Sequence, residues 1–274
     1  MIIDYSTYRP TIEMLRGAGV TSVGRYIGWD SVPGHPSEGK NLTKTEADSL
    51  TSNGISVFVS FEYEAAAAMK GSPQGQADGT LASEQLAALG APDGVTVYFA
   101  VDFDIPDFAP GSSDPRAKLG AAADYFAAIN ALHRNYAVGV YGGFYAVSRL
   151  LSAGLAAMGW QTSAWSGGQW DNRAVLRQFG QMWGGNADVN SALPSTIDFG
   201  QWPRPSSQGS PPQQFVADGT ASMTNAAHQH GRPVSELLWL TAHHQAGGYA
   251  PVQAPYIDAG KWDAPMPKGM IFWA

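Results

Sequence analysis

Over its first two hundred residues the chain alternates short apolar runs with helix-forming segments, and the connections between runs are too long for hairpins. The runs fall at 2–5, 22–27, 56–64, 95–104, 137–141, 160–165, 175–179 and 196–199. Strands joined by crossovers of that length pair in parallel, and a parallel sheet needs helices over its faces. Eight such units predict an α/β fold, a (β/α)8 TIM-type barrel, whose last two crossovers are short and irregular. An open doubly wound sheet is the other arrangement that the pattern allows.

Helix signals fall between the runs. Thr43 with Glu46 three residues on spells a capping box, predicting a helix that runs to Gly54. Asp114 followed by Pro115 starts an Ala-rich helical segment that reaches His133. Further helices are expected over 11–17, 81–89 and 146–155.

Acids recur at the ends of the runs, which favours closure into one barrel mouth. In 95–104 the two-residue period puts Tyr98, Ala100, Asp102 and Asp104 on one face and Val97, Phe99, Val101 and Phe103 on the other. Asp4 alternates with Ile3 and Tyr5, Glu62 and Glu64 with Phe61 and Tyr63, and Asp198 with Ile197 and Phe199. Tyr141 and Gln178 sit similarly in the fifth and seventh runs. Sites of such barrels lie at the C-terminal ends of the strands. Carboxylates placed there are costly unless paired, hydrogen-bonded or solvated in a cleft.

Composition narrows the partners. With 16 basic against 23 acidic residues, and no basic cluster, the chain lacks the cationic face that a phosphate backbone demands, so nucleic acid is not expected. The absence of cysteine removes disulfides, thiolate metal sites and cysteine nucleophiles. The start MIIDYSTYRP carries no signal-peptide pattern, and no apolar run is long enough to insert in a membrane. Neither a cofactor nor a metal is expected: the run 34–40 departs from a phosphate loop, and the paired histidines near 228–230 and 243–244 lack a second ligand motif.

Residues 203–213, PRPSSQGSPPQ, have a linker's composition and divide a first domain over 1–202 from a small α+β module over 214–274.

The segments YFAVDFD, GVYGGFY, SAWSG, LRQFGQ and TIDFGQW, together with Asp4, resemble the lysozyme-like family 25 glycoside hydrolases over residues 1–202. They resemble more closely the actinobacterial and phage glycoside-hydrolase-like domain related to that family. The resemblance implies a barrel acting on bacterial cell-wall glycan, peptidoglycan above all. Under it Asp4, Asp102, Asp104 and Asp198 match acids of the first, fourth and eighth strands. Tyr141 matches the tyrosine of the family's Ile-Tyr strand, Trp165 the tryptophan of its sixth strand and Gln178 the glutamine of its Trp-Gln-Tyr strand. Asp104 stands where the muramidases carry a glutamate proton donor. The 214–274 module is similar to a divergent LysM glycan-binding fold.

Glycoside hydrolysis needs an acid to protonate the leaving oxygen and a second carboxylate as nucleophile, base or stabiliser. Asp104 or Glu62 is expected as the acid, with Asp4, Asp102 and Asp198 orienting the sugar and stabilising positive charge. Arg25 and Glu64 join Tyr141, Trp165 and Gln178 as substrate-binding candidates, Arg25 pointing into the barrel toward Asp4 or Asp102. Trp29 and Trp170 are further stacking candidates. These features predict a muramidase-like or endolysin-like hydrolase that acts on the wall after lysis or as a virion component. A non-catalytic wall-binding or phage tail protein, with virion tail proteins as partners, is the competing class.

Overall fold

The computed structural model describes residues 1–28, 39–193, 196 and 198–204. The linker beyond Arg204, the module over 214–274, the 34–38 part of the discounted phosphate loop, and Trp29 lie outside the described residues.

Eight strands close into a barrel in sequence order. They are β1 (Ile2–Asp4), β2 (Ser22–Ile27), β3 (Ser56–Phe61), β4 (Thr96–Val101), β5 (Ala137–Gly142), β6 (Met158–Thr162), β7 (Ala174–Met182) and β8 (Ala187–Ala192). Consecutive strands from β1 to β7 pair in parallel. The helices around them are α1 (Ile12–Gly17), α2 (Lys44–Ser52), α3 (Ser72–Leu89), α4 (Pro115–Leu119), α5 (Ala121–Ala131) and α6 (Phe144–Ser152).

The capping residues act as their types dictate. The hydroxyl oxygens of Thr11 and Thr43 accept the backbone N–H groups of Met14 and Glu46, and an Asp114 carboxylate oxygen accepts that of Arg116. Two helices depart from expectation. The helix expected over 81–89 begins at Ser72, because Pro73 is tolerated in a first turn and small Gly75 and Gly79 let it lie close against Tyr125 and Leu132. The segment expected as one helix from Pro115 to His133 breaks at Gly120, where φ is 55° and the Phe108 ring occupies the space a Cβ would need.

The eighth strand is the main correction. It is not 196–199 but Ala187–Ala192, and it runs antiparallel to both β7 and β1. A Gly184-Gly185 turn between β7 and β8 makes a hairpin where a crossover was expected. The ADVNSA strand hid from a search for apolar runs because its inward residues, Asp188 and Asn190, are polar, while Ala187 packs in the outer apolar layer and Val189 is buried opposite Ile3.

The segment 198–204 instead crosses the other end of the barrel. Val57 and Trp202 exchange backbone hydrogen bonds of 2.7 and 2.8 Å, and Thr96 N–H donates to the Gly200 carbonyl at 3.0 Å. Phe199 enters the barrel with Phe58, Tyr98, Trp160 and Leu176, its ring 5.4 Å from that of Phe58. The Tyr98 hydroxyl donates to the Phe199 carbonyl at 2.7 Å. Aromatic packing therefore fills the lower barrel and leaves the opposite mouth for polar groups. A second apolar layer, which includes Val23, Val57, Val97, Phe99 and Val140, lies between strands and helices.

Candidate functional site

The floor of the mouth is built where β1 meets the β7–β8 hairpin. Asp4, the last residue of β1, is the cross-strand partner of Asp188 on β8. Asp4 is only 1% exposed, whereas Asp188 is partly exposed. The Gln178 amide nitrogen donates to Asp4 at 3.0 Å and also reaches Asp188 Oδ2 at 3.3 Å. Asn190 Nδ2 donates to Asp4 Oδ2 at 2.6 Å.

Obligate donors set both amides. The Trp160 indole can only donate, and it donates to Asn190 Oδ1 at 2.7 Å, which turns the Asn190 nitrogen toward Asp4. Tyr141 O–H donates to Gln178 Oε1 at 2.8 Å, which turns the Gln178 nitrogen toward the acids. The Tyr141 and Trp160 rings meet edge to face at 4.8 Å. Burial, followed by repulsion from Asp188, raises the Asp4 carboxyl to about 7 against the hydrogen bonds from Asn190 and Gln178.

Asp102 stands on the rim just beyond β4, half-buried, and burial raises its carboxyl pKa while Lys40 opposes the shift. Asp4, Asp102 and Asp188 all act electrostatically on Tyr141, whose hydroxyl pKa is raised well above 10, chiefly by burial. Tyr26 of β2 feels Asp4, Glu62, Tyr141 and Asp188, and its pKa rises for the same leading reason. One electrostatic neighbourhood thus joins Asp4, Asp188, Asp102, Glu62, Tyr26, Tyr141 and Gln178. Among the described residues no group of three His, Cys, Asp or Glu side chains is placed to hold a metal ion, and no helix is long and apolar enough to cross a membrane.

The expected residues divide between mouth and elsewhere. Asp4, Asp102, Glu62, Tyr141 and Gln178 come together. Asp104 lies on the same rim but is exposed. Trp165, also exposed, sits in the loop after β6. Trp170 lies 5.2 Å beneath the Arg177 guanidinium.

Two candidates lie away from the mouth, and a third, Glu64, is engaged at its rim, beside Ala65, whose carbonyl accepts the Asp102 N–H at 3.3 Å. Asp198 is at the closed end, where it accepts the Gly200 N–H at 2.9 Å and stands 3.7 Å from Arg204. Glu64 pairs with Lys70 at 2.7 Å, and its charge is felt by Asp78 of α3. Arg25 points outward, because its place in SVGRYI gives it the parity of Val23 and Ile27. Fully buried, it pairs with Glu46 at 2.7 Å, stacks 4.5 Å from the Tyr5 ring and donates to the Tyr5 carbonyl. Its ion-pair partner is therefore Glu46 of α2, not Asp4 or Asp102, which also diverts the Glu46 carboxylate from closing the capping box.

Asp188, Asn190, Tyr26 and Trp160 were not among the expected site residues. Strand parity could have found them: the alternation in ADVNSA puts Asp188 and Asn190 on one face, and that in SVGRYI separates Tyr26 from Arg25.

A closed α/β barrel with its carboxylates gathered at one mouth is the layout of a glycoside-hydrolase-like domain. The chain belongs to the Rv2525c-like, glycoside hydrolase-like domain family, whose model matches residues 13–194. It is similar to the Mycobacterium tuberculosis Tat-secreted protein Rv2525c, solved in complex with HEPES, at 24% identity and a TM-score of 0.62, over 73% of this chain and 98% of that one. The same figures hold for Rv2525c in complex with L-tartrate. At that identity the likeness bears on the fold. No curated protein matches the chain.

Proposed function

We propose that this barrel is a glycoside hydrolase of bacterial cell-wall glycan, with peptidoglycan as substrate and Asp102 as its proton donor. The observation that carries this reading is the union of the Asp4–Asp188 pair with half-buried Asp102 around Tyr141 at one mouth. Burial raises the Asp102 carboxyl above the ordinary aspartate value, the direction that a general acid requires. Asp102 delivers its proton to the glycosidic oxygen as the bond from that oxygen to the sugar breaks. The positive charge that develops on the ring is stabilised by the negative pair below it. Water then captures the ring carbon, and the proton it sheds passes to Asp188, the solvent-reachable member of the pair.

Asp104, exposed on the rim, and Glu62, beside Tyr26, take substrate-orienting roles instead of the donor role expected from sequence. Rv2525c is Tat-secreted, and action outside the cytoplasm suits a wall substrate.

The competing reading is a wall-glycan receptor, or a virion tail component, without turnover. It is favoured by the near-complete burial of Asp4 beneath two amide donors, which distances it from any ligand. Mass spectrometry of a purified peptidoglycan digest tests both. Wild type is expected to release muropeptides and Asp102→Asn to release them at least ~100-fold more slowly. Equal release by the two removes Asp102 from the chemistry, and wall binding without release by wild type selects the receptor.

A further inference from the structure

Among the described residues four large apolar side chains are exposed: Met14 at 38%, Phe108 at 45%, Tyr145 at 43% and Trp165 at 38%. Isolated exposed apolar residues are ordinary. Here three of the four are aromatic, and they sit on the connections after β4, β5 and β6, which are adjacent strands. Each connection leaves the barrel at the mouth, and each follows a strand carrying a mouth residue: β4 leads to Asp102 and then Phe108, β5 carries Tyr141 and leads to Tyr145, and β6 leads to Trp165.

These aromatics are held in place. Trp165 has φ 53°, a left-handed conformation that costs a residue other than glycine roughly 1–2 kcal/mol and persists where the surroundings over-determine it. The next residue supplies that hold, because Ser166 Oγ donates to the Thr162 carbonyl at 2.6 Å and accepts the Phe144 N–H at 3.0 Å. Gly143 leaves room for the turn, since a Cβ there would lie 2.7 Å from the Trp165 carbonyl oxygen. Phe108 rests on Gly120, where a Cβ would come within 2.8 Å of its ring.

Arg149 links the remaining pieces. Its guanidinium lies 4.7 Å from the Tyr145 ring and donates to the Pro106 carbonyl at 2.9 Å, beside Phe108. Asp107, next to Phe108, is 3.0 Å from Lys118 and 3.6 Å from Arg149. A rim of fixed aromatic faces suits the apolar C–H faces of sugar rings.

We propose that Phe108, Tyr145 and Trp165 form an aromatic strip that extends the mouth and takes successive sugar rings of an extended hexosamine polymer. The proposal rests on the glycan reading for the class of ligand and adds to it polymer length and the side on which the chain lies. The strip makes binding length-dependent, because a disaccharide can occupy the carboxylate mouth without reaching it.

The test uses the full chain carrying Asp102→Asn, titrated calorimetrically with chito-oligosaccharides of two, four and six units. Affinity is expected to rise about tenfold or more from the shortest to the longest. Adding Tyr145→Ala or Phe108→Ala is expected to lower hexamer affinity about 3- to 10-fold and to leave dimer affinity unchanged, while Tyr145→Trp retains the gain. Equal affinity for all lengths, or hexamer affinity indifferent to both alanine variants, overturns the strip while the mouth reading stands. Binding of no oligosaccharide at any length, with peptidoglycan also untouched by wild type, removes both. Loss of self-association in Tyr145→Ala, without loss of hexamer affinity, reassigns the strip to contacts between copies and also overturns the proposal.

Discussion

Replacing Asp188 with asparagine tests whether the floor of the mouth is a coupled acid pair. One Gln178 nitrogen lies 3.0 Å from an Asp4 oxygen and 3.3 Å from an Asp188 oxygen, so the two carboxylates approach within about 6 Å. At an effective dielectric of ~20, two charges at that distance repel by about 3 kcal/mol, or about two pKa units. Solvent reaches Asp188, and screening brings the expected effect down to about one unit. The Asp4 midpoint, about 7 in the wild type, is therefore expected to fall to about 6 in Asp188→Asn. It stays above the ordinary carboxylate range because burial, the larger cause, is unchanged.

A carbon-detected NMR titration of the aspartate carboxyls, with Asp4→Asn to assign the signal, measures this directly. Stability provides a second readout. Between the unfolded value near 4 and the folded value of about 7, the folded chain holds a proton that the unfolded chain has released. The contribution of Asp4 to stability is thus full at low pH, falls as pH rises through that window, and levels off above it. The decline should end about one unit earlier in Asp188→Asn. An Asp4 midpoint that does not move with Asp188, or one that is ordinary in wild type, refutes the coupling.

Other consequences are separable from this pair. Asp198→Asn should leave glycan binding and turnover unchanged, because Asp198 lies at the closed end of the barrel; a loss would show that the end closed by 198–204 takes part in the reaction. Arg25→Met should cost about 3 kcal/mol in urea unfolding, the low end for a broken buried pair, since Glu46 keeps only Arg9 at 3.3 Å and the Tyr5 hydroxyl; a cost under about 1 kcal/mol would deny that this buried pair anchors the helix. Trp160→Phe leaves Asn190 Oδ1 without its donor, with an expected loss of about 1–3 kcal/mol and an altered Asp4 titration; an unaltered titration would mean that the indole does not set the Asn190 amide. Gly200→Ala should strongly lower the melting temperature, because φ is 83° and the new Cβ would lie 2.1 Å from Thr96 Oγ1.

The first seven strands were legible because each had to be apolar on the face that packs against helices, and local caps such as Thr43 and Asp114 marked where helices begin. The eighth was not. ADVNSA turns polar side chains inward to the site, so the strand that completes the mouth lacks the signal by which strands are recognised. The apolar TIDFGQW drew the assignment because Phe199 and Trp202 are indeed buried, but at the other end. Arg25 shows the same limit: its parity was readable, yet its partner Glu46 lies 21 residues away on a helix whose packing is a tertiary matter.

By itself the chain's pattern determined an α/β barrel class, the rim position of Asp102, the strand-end places of Asp4 and Tyr141 and the inward parity of Gln178, because strand period and hydrophobic burial act within a few residues. Only the tertiary structure decided that Asp188, not Asp198, faces Asp4, that the last strand returns antiparallel, and that Arg25 serves α2. Those outcomes depend on which distant groups meet when the barrel closes, and on the cost of burying a charge without its partner.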